Sequence, residues 1–192
     1  MLLRWGITGG QSPSKTKPEG RQKEALTRFI RYSAALRHQC TADEVKVIKR
    51  NRALAYLKTN QFDAALADTG FPEFGTDPSE KAMFRAAEAL YKLARFEECR
   101  EVLQSTSSAF PNNKQTAEML KRAETRCTEQ QTGNYDFSLL QQEAQKLQLP
   151  QLDHATYFGP VEVRMTANKG RGLFVTQSVK AGDLLLCEKA FS

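Results

Sequence analysis

Sliding this chain along itself by 34 residues brings Phe62 onto Phe96, and the neighbours fall into step. Ala53 meets Ala87, Ala55 meets Ala89, Tyr56 meets Leu90, Lys58 meets Lys92, Ala65 meets Cys99 and Thr69 meets Leu103. Small residues recur where two helices must approach closely, and bulky ones recur where the space between helices must be filled. A period of this length specifies a pair of helices that cannot bury its apolar face alone and must stack on its neighbours. The spacing therefore predicts a mainly α fold, with a helical array over residues 23–130. Pro111 stands where a repeat ends, and Pro78 stands one residue beyond the matching place.

The run from Asn51 to Leu57, followed by Phe62 to Asp68, resembles the tetratricopeptide repeat (TPR) pattern. Lys23 to Leu36, with Phe29, Tyr32 and Leu36, resembles the second helix of such a repeat. Ser12 to Gly20 carries Pro and Gly where the first helix belongs, so this end of the array is expected to expose an apolar face. A helix from Asn113 to about Gln130, with Ala117, Leu120, Ala123 and Cys127 at three- and four-residue spacing, is expected to cap the other end.

Ahead of the array, residues 1–22 hold Gly9, Gly10, Pro13, Pro18 and Gly20 with no period and read as a disordered basic tail. The net charge of +6 is uneven: residues 1–52 hold 12 Lys/Arg against 4 Asp/Glu, and the remainder 16 against 18. This excess reads as a solvated tail and a charged helix face rather than a nucleic-acid surface. No apolar run approaches the roughly 18 residues of a membrane span. Cys40, Cys99, Cys127 and Cys187 are scattered, with no Cys-x-x-Cys and no ligand candidate beside His38 or His154. That pattern predicts free thiols, no metal site, and an intracellular residence in cytoplasm or nucleus.

Residues 131–156 read as a connector, with a turn at Thr132 to Asn134 and an amphipathic helix from Phe137 to Leu149 that Pro150 ends. From 157 to 192 the period changes to strands: Val161 to Met165 alternates, Lys169 to Gly172 breaks the run, Leu173 to Val175 resumes it, and Leu184 to Cys187 follows a turn at Lys180 to Asp183. This order, with Gly170 to Phe174 at its centre, resembles the opening of a SET domain, the fold of protein-lysine methyltransferases. The TPR pattern ahead of it is similar to that of SMYD-like and fungal proteins that join the two.

The resemblance implies that Lys169, Gly170, Arg171 and Gly172 lie beside S-adenosylmethionine, near its amino-acid end, with a protein lysine as the methyl acceptor. Chemically, two glycines around one residue allow close backbone approach, and a basic side chain suits a carboxylate. Taken alone, the tripeptide Gly170 to Gly172 reads as a tight hairpin turn. A dinucleotide site is excluded, because no third glycine and no long helix follow. The family's Asn-His motif, channel tyrosine and zinc cysteines have no counterpart before Ser192. The chain is therefore expected to be an incomplete SET segment that is inactive alone, with no catalytic residue and with Leu184 to Cys187 left without sheet partners.

A second reading makes the chain a protein-interaction module whose SET remnant is only structural. Some TPR grooves clamp a peptide's terminal carboxylate with an Asn in one first helix and a Lys and an Arg in the next. Asn51, Lys81 and Arg85 have that spacing, and Lys81 and Arg85 share a helix face. The other half of the clamp, a Lys and an Asn in the preceding first helix, has no counterpart here.

Overall fold

A computed structural model describes residues 18–75, 79–146 and 152–188. Among these the chain forms helices α1 (Pro18–Ala35), α2 (Ala42–Lys58), α3 (Phe62–Thr69), α4 (Glu80–Lys92), α5 (Phe96–Ala109), α6 (Lys114–Thr132) and α7 (Phe137–Lys146). Strands β1 (Tyr157–Phe158), β2 (Val161–Thr166), β3 (Gly170–Val175) and β4 (Leu186–Cys187) follow. The molecule is thus a mainly helical array trailed by two small antiparallel sheets, β1 with β4 and β2 with β3.

The 34-residue period is visible bond by bond. The turn between α2 and α3 closes with Gln61 N–H donating to the Tyr56 carbonyl at 2.9 Å, and that between α4 and α5 closes with Arg95 N–H donating to Leu90 at 2.9 Å. At the same offset, Asn60 (φ 60°) and Ala94 (φ 57°) both take the left-handed conformation that reverses the chain. Ala53, Ala65, Ala87, Ala89, Leu90, Cys99 and Leu103 are all fully buried, as their place in the repeat demands. The Cys99 thiol donates to the Ala87 carbonyl at 3.2 Å, and burial pushes its pKa up to about 12. It is a packing group rather than a nucleophile.

The repeats differ at one buried pair. Arg52 of α2 grips Asp68 of α3 through two bonds of 2.6 and 2.7 Å, with Asp68 almost wholly buried. At the equivalent places in the next repeat stand Ala86 and Val102, both buried. One helix hairpin closes with a salt bridge where the other closes with an apolar contact.

First helices stack through polar links. Arg85 Nη1 donates to the Arg50 carbonyl at 2.5 Å, and Arg50 Nη1 to Ser79 Oγ at 2.9 Å. Asn113 caps α6 by accepting from the Gln115 and Thr116 amides, while its Nδ2 donates to Glu80 at 2.7 Å. A capping box between Thr41 and Glu44 starts α2.

Several expectations change. The helix expected from Lys23 begins at Pro18, which takes the first helical position, and the part of the expected tail before it lies outside the described residues. On α1, Leu26 and Ile30 are 48% and 59% exposed, so this helix shows apolar surface among the described residues. Of the stripe expected on α6, Ala123 and Cys127 are buried and Leu120 packs on the core, but Ala117 is exposed, and Thr116 and Glu129 are buried as well. The helix expected from Phe137 to Leu149 is described over Phe137–Lys146; its expected end at Leu149 and Pro150, like Pro78, lies outside the described residues.

In the β part, Gly170 to Gly172 does not break the strand run. The reversal is made by Ala167 to Lys169, and both glycines lie in β3, where Gly170 pairs with Thr166 and Gly172 with Arg164. Gly170, at φ 73°, supplies the left-handed residue that closes a three-residue loop. The last apolar run is not partnerless either, because Leu186 and Cys187 pair with Phe158 and Tyr157.

Candidate functional site

Two regions have the shape or the chemistry of a site. The first is the face formed by α2, α4 and α6, the first helices of successive units. Three adjoining hollows run along it. One of about 150 Å³ lies between α1 and α2 and holds Asn51 beside Tyr32. One of about 340 Å³ holds Lys81, Arg85 and Glu88 against Leu54 and Phe84. One of about 430 Å³ continues past Phe84 and Glu88 to Leu57, Met119 and Arg122. Leu54 borders the first two, and Phe84 and Glu88 border the last two, so the face is one continuous groove.

Its charged groups are unequally committed. Burial lowers the pKa of Arg85, and the neighbouring Arg50 lowers it further, while one of its nitrogens is held by the Arg50 carbonyl. Arg122 donates to Asp153 at 2.8 Å and lies over the Tyr91 ring. Lys81 is exposed. No hydrogen bond or salt bridge from a described residue reaches the partly buried Glu88 carboxylate, and burial raises its pKa against the pull of Arg85 and Lys92.

The second region is the β2–β3 hairpin. Where a Cβ on Gly170 would point, no heavy atom lies within 4 Å, so its glycine is demanded by backbone conformation and leaves open space beside it. At Gly172 a Cβ would come 3.0 Å from the Phe174 ring, so that face is covered by the chain's own side chain. The exposed Lys169 and Arg171 side chains make no salt bridge with described residues. Two uncommitted cations at the tip of the hairpin suit an anionic group such as a carboxylate. The register puts Gly170 on the face of Thr166 and Arg171 on the opposite face, with Val163, Met165, Leu173 and Val175, each of these four at least 48% exposed.

A polar latch joins the helical array to the segment just ahead of β1. Glu129 of α6 accepts from the Ala155 amide at 2.8 Å and from Arg126 at 2.7 Å, with both side chains almost buried. Asp153 accepts from the Tyr91 hydroxyl at 2.8 Å and from Arg122. Tyr135 donates to the Ala155 carbonyl at 2.8 Å. Burial, and then the Asp153 hydrogen bond, push the Tyr91 pKa up to about 12, so the hydroxyl stays a donor. The segment read from sequence as a connector is therefore a docking strip, pinned to the last helix of the array.

Of the residues singled out by sequence, Lys81 and Arg85 share one hollow, while Asn51 lies in the next one. Lys169 to Gly172 lie together on the hairpin, at the turn end of β3. Glu88 and the latch residues were not foreseen. Glu88 alone left a trace, as the one acidic residue among the apolar positions of the second half of α4.

No protein-family model matches the chain, and no solved structure does. The chain is similar to a protein named Methyltransferase from Gibberella zeae, at 33% identity over 187 residues, which are 95% of this chain and 26% of that protein. It is also similar to Protein unc-45 homolog B of Xenopus laevis, at 34% identity over 92 residues, covering 47% of this chain and 10% of that protein. The chain thus spans about a quarter of the first relative. No helix among the described residues is long and apolar enough to cross a membrane.

Proposed function

We propose that this chain is part of an S-adenosylmethionine-dependent protein-lysine methyltransferase, with a TPR arm over 23–130 that docks protein partners and a SET opening over 157–192. The observation that carries this reading is the sustained similarity to the Methyltransferase of Gibberella zeae across both regions. The hairpin's fit to an anion supports it. Lys169 and Arg171 would hold the carboxylate of the methyl donor, and the Gly170 backbone would let it approach. The donor supplies an activated methyl group. What these residues would do is bind and orient it, while the latch ties the segment just ahead of β1 to the arm. The arm's groove would receive an extended protein segment, with Lys81 and the free donors of Arg85 available to its acidic groups.

The test is transfer of labelled methyl from S-adenosylmethionine to protein lysine by the whole gene product that carries this sequence. Lysine-borne label, lost with Gly170→Val, is expected. A gene product that methylates no lysine would overturn the reading and leave only the docking arm.

A further inference from the structure

We infer that the groove of the helical arm is a subsite for a lysine or arginine side chain, received by the Glu88 carboxylate between Phe84, Leu57 and Met119. This deepens the docking role proposed above and rests on it.

Glu88 is an acid placed where an acid is costly. It is partly buried at the junction of two hollows, and no described residue bonds to it. A partly buried carboxylate that no hydrogen bond or salt bridge satisfies carries part of the desolvation cost of burial, and a cation seated beside it would offset that cost. The groove's own cations relieve it only through space and only in part: burial outweighs the pull of Arg85 and Lys92. Arg85 is held by the Arg50 carbonyl, Arg122 is bound to Asp153, and the exposed Lys92 forms no salt bridge. Charge complementarity therefore selects a cation brought from outside.

Shape selects its form. Around Glu88 the walls are Phe84, Leu57 and Met119, partly buried apolar side chains at the edge of the core. A lysine or arginine could lay its aliphatic stem on these walls and present its charged end to Glu88, burying apolar surface and pairing charge at once. A small cation would gain only the second, and an apolar side chain only the first. Lys81 lies seven residues earlier on the same helix, about 10 Å along its axis at 1.5 Å per residue. It would repel a second cation there, so the subsite takes a basic residue flanked by apolar or acidic ones rather than a polybasic run.

The experiment is an NMR titration of the isotope-labelled 192-residue chain with acetyl-Leu-Lys-Leu-amide, and with the same peptide carrying norleucine in place of lysine. Saturable shifts at Glu88, Phe84 and Met119 with the lysine peptide are expected, at least tenfold weaker with norleucine or with Glu88→Gln. The Gln variant keeps the side chain's shape and removes an unpaired charge, so the fold is preserved; an unchanged melting temperature is the control. Equal binding of both peptides, or binding indifferent to Glu88→Gln, would overturn the cation subsite while leaving the groove a docking surface. No shift in the groove with either peptide would overturn both.

Discussion

The ring of Tyr157, the first residue of β1, lies flat against Gly133, the left-handed cap of α6. A Cβ at Gly133 would come 2.6 Å from that ring, and the residue's φ of 67° already disfavours any side chain. Gly133 therefore does two jobs, ending the array and seating the first strand. Gly133→Ala is expected to destabilise the chain by about 2 kcal/mol through strain alone. Hydrogen exchange should show residues 155–158 losing protection before the array does. Loss spread evenly over α2 to α5 would mean that the strand is not seated there.

The salt bridge between Arg52 and Asp68 has its own internal control in the next repeat, where Ala86 and Val102 stand instead. Arg52→Ala should cost about 3 kcal/mol, because it leaves a buried carboxylate unpaired. The double variant Arg52→Ala with Asp68→Val should recover most of that loss, since it copies the apolar closure. Denaturant unfolding of the single and double variants checks both. A double variant no more stable than the single one would contradict the equivalence of the two hairpins.

Ala94 holds a left-handed conformation that favours glycine by about 1 kcal/mol. Ala94→Gly should raise stability by up to about that amount, and the same change at Ala89, in the buried interior of α4, should lower it. A thermal melt distinguishes the two.

The repeat is legible in the sequence because one physical requirement recurs. Wherever two helices cross closely the side chain must be small, and wherever the chain reverses a left-handed residue must stand. Both constraints reappear 34 residues later. The latch is not legible, because Tyr91, Arg122, Glu129 and Asp153 are ordinary polar residues spread over 62 positions, and only the fold brings them together. The hairpin was half legible. Two glycines marked the place, yet one left-handed residue suffices for the turn, and the loop falls on Ala167 to Lys169.

The latch carboxylates titrate in opposite directions. At Asp153 burial opposes ionisation, but hydrogen bonds from Arg122 and Tyr91 and the charges of Arg122 and Arg126 outweigh it, so its pKa falls below 3.8. Its contribution is complete above that value and drains as pH falls through the lowered one. At Glu129 burial outweighs the Ala155 amide and Arg126, and the pKa rises above 4.5. Its charged form costs stability once pH exceeds that raised value, and the cost disappears as pH falls back toward 4.5. Asp153→Asn should therefore be destabilising at pH 7 and less so as pH falls below 3.8, read as melting temperature at pH 7 and at pH 2. An equal loss at both pH values would contradict this assignment.

The central claim is that the Lys169 to Gly172 hairpin borders the methyl donor. Calorimetric titration of the whole gene product with S-adenosylhomocysteine, as wild type and as Gly170→Val and Arg171→Glu, tests it most directly. The account predicts saturable binding, weakened at least tenfold by either substitution with the melting temperature of the helical array unchanged. Binding of the same strength in all three proteins would contradict it.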